Sequence, residues 1–139
     1  AGGEIAPWPG LEIEIGDGLP SMPSSRLLVE VARRAASGDK PASVAAGFHA
    51  TFCRLSVDLT ERVSDGERGV AALGGGCMVN RILSTQLAEG LEERGFEVLL
   101  PRDVPPGDGG LSYGQAVFAA IAAARGVAPK QGAVGTLKR

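Results

Sequence analysis

The sequence predicts an α/β fold with a parallel βαβ core and flanking helices. Three observations carry that expectation. Gly69-Val70-Ala71-Ala72-Leu73 and Phe96-Glu97-Val98-Leu99-Leu100 have the length and composition of short strands. Between them lies one amphipathic helical stretch, and strand–helix–strand units with such short links close as right-handed parallel crossovers. The first strand also runs directly into Gly74-Gly75-Gly76, a strand-to-helix turn of the kind that sits at the ligand edge of open α/β sheets.

The remaining elements follow in order. Residues 1–23 are rich in Gly and Pro, and Leu11-Glu12-Ile13-Glu14-Ile15 alternates, so this segment reads as a linker or an edge strand. Ser24-Ser25 are expected to cap a helix whose Leu27, Leu28, Val31 and Ala35 share one face, with Gly38 closing it. Lys40-Pro41 restarts the chain, and Val44, Phe48, Phe52, Leu55, Leu59 and Val63 recur at helical spacing to give the longest helix. Ser64 to Arg68 is a polar turn. The wholly apolar 69–73 strand should be covered on both faces. The following helix should turn Ile82, Leu83, Leu87 and Leu91 inward, with Gly95 as its left-handed cap. From Ser112, a capping candidate, the spacing of Ala116, Val117, Ala120 and Ala124 predicts a last helix ending near Gly126. Residues 127–139 lack periodicity and read as a flexible tail, leaving 24–126 as the domain.

Composition sets the bounds. At 139 residues and 14.2 kDa the chain is one domain or a piece of one. A net charge of -2 gives no reason to expect nucleic acid. No run approaches the roughly 18 apolar residues of a membrane span, and no signal-peptide plan is present, so a cytoplasmic protein is expected. The chain begins at Ala1 without an initiator Met and reads as a fragment or a processed segment. Cys53 and Cys77 show no metal spacing and are expected to be reduced, a disulfide between them being the minor alternative. His49 is the sole histidine, so a zinc or iron site that needs two imidazoles cannot be completed by this chain alone.

Two motifs suggest chemistry. A glycine run between strand and helix lets backbone amides approach an anion without Cβ atoms in the way. Gly74-Gly75-Gly76 meets that need, although it is neither a Walker loop nor a GxGxxG fingerprint. The plain alternative is a tight turn. Asn80 either hydrogen-bonds a ribose or base, or is an ordinary first-turn residue. The second motif, Pro105-Pro106-Gly107-Asp108-Gly109-Gly110, brackets one carboxylate with three glycines and suits a metal or a hydroxyl. Asp-Gly is equally a common turn dipeptide. Asp103 reads as solvated. Ser112 and Gln115 either contact the same ligand or merely cap. His49 reads as a half-buried packing residue, Cys53 as core, and Cys77 has no neighbouring base that would make it catalytic. No catalytic residue is assigned.

Together these segments carry a resemblance. LGGGCMVNRILSTQLAEGLEERGFEVLLPRDVPPGDGGLSYGQAVFAA resembles the C-terminal end of HypF, the carbamoyltransferase family of NiFe-hydrogenase maturation. That family shows SGG with an Asn four residues after the last Gly, then VPPNDGG followed by S-x-GQA. VAAGFHATF is similar to the family's AARFHNTLA, which makes His49 a family feature. The likeness runs from about Leu27 to Ala124, and PPGDGGLSYGQA is its most specific part.

The resemblance implies a partial RNase-H-like lobe of the actin-like ATPase superfamily, similar to TsaD. Carried over by position, it implies that Gly75, Gly76 and Asn80 contact ATP or carbamoyl-adenylate. It further implies that Asp108 ligates zinc or iron beside two histidines of an HxxxH motif that this sequence lacks. The implied reaction transfers carbamoyl to the C-terminal cysteine of a HypE-like acceptor. The implied partners are that acceptor and a missing N-terminal lobe, or a self-associated copy in its place. The chain departs from the pattern at Gly74 (usually Ser), Val79 (commonly Gln) and Gly107 (commonly Asn). Alternatives are an O-carbamoyltransferase of a natural-product or nodulation-factor pathway, and a degenerate nucleotide-binding or interaction module without catalysis.

Overall fold

The computed structural model describes residues 5–16 and 18–127. In chain order the elements are β1 (Glu14–Gly16), β2 (Leu19–Ser21), α1 (Ser24–Ala36), α2 (Pro41–Val63), β3 (Val70–Ala72), α3 (Arg81–Glu93), β4 (Glu97–Leu99) and α4 (Leu111–Ala124). Short 3-10 turns, Gly76–Val79 and Asp108–Gly110, precede α3 and α4. The expected βαβ core is present: β3 and β4 pair in parallel from Val70↔Glu97 to Ala72↔Leu99, with α3 as the crossover. The family-level expectation of a mixed α/β lobe with a small parallel sheet therefore holds.

Helix α2 organises the packing. Toward the N-terminal part, Val44 and Leu55 join Trp8, Leu11 and Leu27 in one buried cluster. Further round, Cys53 meets Leu83 and Leu87 of α3. Near its C-terminal end, Val57 packs with Leu91 and Phe96, and Ala71, Leu73 and Val98 of the sheet region close over them. Burying each leucine completely, as at Leu55 and Leu91, is worth about 2–3 kcal/mol.

The N-terminal stretch expected as linker or edge strand forms the antiparallel β1–β2 hairpin, with Glu14 opposite Ser21 and Gly16 opposite Leu19. The residues before it are fastened to α2. The Trp8 amide donates to Thr51 Oγ1 at 2.8 Å, and that hydroxyl donates to the Gly47 carbonyl at 2.7 Å. Arg34 lies over the indole at 4.8 Å, and Arg54 donates to the Leu11 carbonyl. Thr51 is fully buried, so satisfying its hydroxyl removes a desolvation cost.

Several local expectations need correction. Ser24 and Ser25 do not cap α1. The Ser24 amide already bonds the Met22 carbonyl, which turns the chain early and leaves Pro23 at the cap position. Ser112 likewise lies inside α4, because the Asp108–Gly110 turn runs straight into Leu111 and puts Gly110 at the cap. Ile82 is 58 % exposed: it stands one residue, about 100°, off the Leu83–Leu87–Leu91 stripe. The 69–73 strand is covered on one face only, with Val70 59 % exposed. Among the described residues the sheet has two strands. The apolar spacing on α4 does produce a helix, but none of its residues is buried, and Phe118 is 73 % exposed. The expected tail, apart from Val127, lies outside the described residues.

Candidate functional site

Because β3 and β4 are parallel neighbours, the segments that leave their C-terminal ends emerge on the same edge. There the glycine turn and the acidic loop touch. The Gly75 amide donates to the Pro106 carbonyl at 2.6 Å. A Cβ built on Gly107 would stand 3.4 Å from the Gly76 Cα. Gly75 has φ +95°, a conformation that an L-side chain resists, so the turn depends on glycine there. Gly110 is required for a different reason: a Cβ on it would come within 2.4 Å of the Pro105 carbonyl oxygen. The loop thus folds back on its own prolines. Asp108 is exposed at the start of its 3-10 turn, immediately after the contact with Gly76.

Of the amides available to cradle an anion, that of Gly75 is spent on Pro106. Among the described residues the Gly76 amide donates to no backbone carbonyl. Asn80 is the cap of α3: its Oδ1 accepts from the Ile82 and Leu83 amides at 3.1 and 3.3 Å. Such a cap satisfies backbone donors that a helix start leaves open. Its Nδ2 lies 3.0 Å from His49 Nε2, and His49 Nδ1 lies 2.8 Å from the Ala45 carbonyl. Sequence reasoning missed that His49 and Asn80 meet. They stand on different helices 31 positions apart, and the only signal was the FH segment of the resemblance.

The other candidates fall as follows. Gln115 lines a cavity of about 570 Å³ with Val104, Pro106, Leu111 and Phe118, between the acidic loop and α4. Ser112 is not part of its lining. Asp103 is exposed. Cys53 and Cys77 are both free thiols; burial pushes the Cys53 thiol up to about 11, while Cys77 is exposed beside the glycine turn. Among the described residues no three His, Cys, Asp or Glu side chains converge to hold an ion. Asp108 belongs to no such group.

A family model described as the carbamoyltransferase, Kae1-like domain, second subdomain matches residues 7–115. The chain belongs to this family. It is 47% identical over 74 residues to carbamoyltransferase HypF of Rhizobium leguminosarum bv. viciae, covering 52% of this chain and 10% of that protein. It is 41% identical over 87 residues to a carbamoyltransferase HypF homolog of Cupriavidus necator, covering 62% of this chain and 22% of the relative. Full-length HypF, solved in a phosphate- and nucleotide-bound form, superposes with a TM-score of 0.74 at 32% identity over 88% of this chain and 16% of that one. The T. kodakarensis HypF structure, at 22% identity and a TM-score of 0.66 over 94% of this chain and 16% of its own, shares the fold. The chain thus spans about a tenth to a fifth of the length of these relatives. Among the described residues no helix is long and apolar enough to cross a membrane.

Proposed function

We propose that this carbamoyltransferase-family lobe forms one wall of a site that transfers carbamoyl from carbamoyl-adenylate to the C-terminal cysteine thiol of a HypE-like acceptor, in NiFe-hydrogenase maturation. In that reaction a C–S bond forms at the carbamoyl carbon as its bond to the adenylate phosphate oxygen breaks. AMP leaves, and the thiol proton passes to a base outside this chain. The observation that carries the reading is the contact between the two family motifs, Gly75 N–H to Pro106 O, at one end of the parallel sheet. Gly75 and Gly76 then form the backbone wall beside ATP or the adenylate, with Asn80 at the start of α3. Asp108 contributes one carboxylate to zinc or iron. The lobe supplies binding and orientation but no acid, base or nucleophile. Its outward sheet face and α4 are covered by the remainder of the enzyme, and free thiols on both sides suit the cytoplasm.

A chimera tests this. This chain replaces the matching lobe of the Rhizobium relative, and the protein is incubated with ATP, carbamoyl phosphate and either a HypE C-terminal peptide or a sugar acceptor. Thiocarboxamide on the peptide, detected by intact mass and abolished by Asp108→Ala, is the expected result. Carbamoylation of the sugar alone overturns the acceptor assignment in favour of an O-carbamoyltransferase. No turnover with retained ATP binding favours a module without catalysis.

A further inference from the structure

We infer that His49 is a positioning residue for Asn80, and that Asn80, its oxygen used in capping α3, is left with a donor-only contact with a ligand at the glycine turn; the ligand half of this rests on the nucleotide reading above. The Ala45 carbonyl, 2.8 Å from His49 Nδ1, only accepts, so Nδ1 is the nitrogen that donates. Asn80 Nδ2, a donor only, lies 3.0 Å from Nε2, so Nε2 is the nitrogen that accepts. At the other end of the amide, Oδ1 takes the Ile82 and Leu83 amides and so uses both of its lone pairs. Rotating the amide by half a turn would set Oδ1 against the bare Nε2 and the NH2 group against two N–H donors. Both ends therefore demand the same orientation. What Asn80 retains is its second Nδ2 hydrogen, on an exposed residue one 3-10 turn beyond Gly76.

The consequence is chemical selectivity. The atom that Asn80 meets must be an acceptor, such as a phosphoryl oxygen, a ribose oxygen or an unprotonated ring nitrogen. A group that needs to donate finds no partner there. The imidazole itself is steadied by Phe48, edge-on at 5.9 Å, and by its seat on α2.

Two measurements test the inference. In the unliganded chain, 15N-edited NMR of the imidazole should show Nδ1 protonated and Nε2 unprotonated, with the Asn80 side-chain amide slowed in exchange; His49→Ala should abolish that slowing. In the chimera, His49→Ala and His49→Leu should weaken ATP binding about fivefold, the size of one net hydrogen bond. His49→Gln, whose carbonyl can accept from Nδ2, should restore most of it. Melting curves of each variant separate a folding defect from an orientation defect. A protonated Nε2 in the unliganded chain overturns the positioning role. So does equal weakening by Gln and Ala, or unchanged affinity in Ala. If the unsubstituted chimera binds no ATP, the nucleotide reading falls and the donor-only contact with it, while the NMR result still decides the His49–Asn80 link.

Discussion

Replacing Gly47 by alanine tests how the N-terminal segment is fastened to α2. In an open helix interior that substitution gains about 1 kcal/mol, because alanine loses less backbone freedom than glycine. At Gly47 the added Cβ would fall 2.2 Å from Trp8 Nε1, 2.7 Å from Cε2 and 3.1 Å from Cζ2, all on a ring buried to 5 % exposure. The indole edge has to move by most of an ångström. Its ring is backed by the Arg34 guanidinium, and its own amide is held by Thr51. Overpacking of this kind costs about 1–3 kcal/mol, and full loss of a buried Trp approaches about 3–5 kcal/mol. Moving the indole by most of an ångström puts the overpacking cost at about 2–3 kcal/mol, so less the propensity gain the expected net destabilisation is about 1–2 kcal/mol, a fall in Tm of roughly 4–10 °C for a domain of this size. Trp8 is the sole tryptophan, so its emission in a urea titration reads the perturbed site directly. Gly114→Ala on α4 is the reference, since nothing lies within 4 Å of its Cβ; it should be neutral or slightly stabilising. Gly47→Ala as stable as the parent, with unshifted Trp8 emission, would refute the seating of the indole on this helix.

Three further outcomes are expected. The Glu30 carboxylate is held down to about 2, first by its hydrogen bond to Arg33 and then by Arg34. Folding lowers this pKa, so its contribution is fully present above the ordinary value of 4.5 and lost as pH falls through 2. Glu30→Gln should therefore flatten the pH dependence of stability across that window, and a 13C titration of Glu30 should show the depressed midpoint. A thiol reagent at neutral pH should label Cys77 in the native chain and reach Cys53 only on unfolding, since burial closes the latter to the reagent and also disfavours its thiolate; rapid native labelling of Cys53 counts against the α2–α3 packing. Gly110→Ala forces a Cβ against the Pro105 carbonyl and should displace the acidic loop, moving the Gly75 amide resonance as its bond to Pro106 is lost. An unmoved Gly75 signal contradicts the coupling of the two loops.

What the sequence made legible follows from periodicity. Helix α2 and the β3–α3–β4 unit were readable because their apolar spacing is regular and their ends carry glycine or polar turns. The meeting of the glycine turn with the acidic loop was readable too, since parallel neighbours expose their C-terminal ends together. The place of Trp8 was not. It rests on a glycine 39 positions on and a threonine 43 positions on, and no local pattern encodes such pairs. The meeting of His49 with Asn80 was illegible for the same reason: on its own helix His49 looks like packing, and its neighbour lies 31 positions on. The burial forecast for β3 went wrong because an apolar pattern records which faces need a partner, not which chain supplies one. α4 shows this most plainly, with Leu111, Val117, Phe118 and Ile121 all exposed.

The same accounting constrains what the lobe can bind unaided. The Gly75 amide is committed to Pro106, and the Asn80 side-chain oxygen is committed to α3. Of the donors the proposed reading assigns to the ligand, on Gly75, Gly76 and Asn80, that leaves the Gly76 N–H and one Nδ2 hydrogen of Asn80. Hydrogen bonds to a charged phosphate are worth about 1.5–3 kcal/mol each, so this pair supplies roughly 3–6 kcal/mol. Association alone costs at least about 4 kcal/mol, and even a millimolar complex needs about 4 kcal/mol of net free energy. A nucleotide held only by these groups would dissociate above millimolar. On the proposed reading, the Gly75–Pro106 tie serves to hold this wall in place, and the remaining contacts to the nucleotide come from the rest of the carbamoyltransferase.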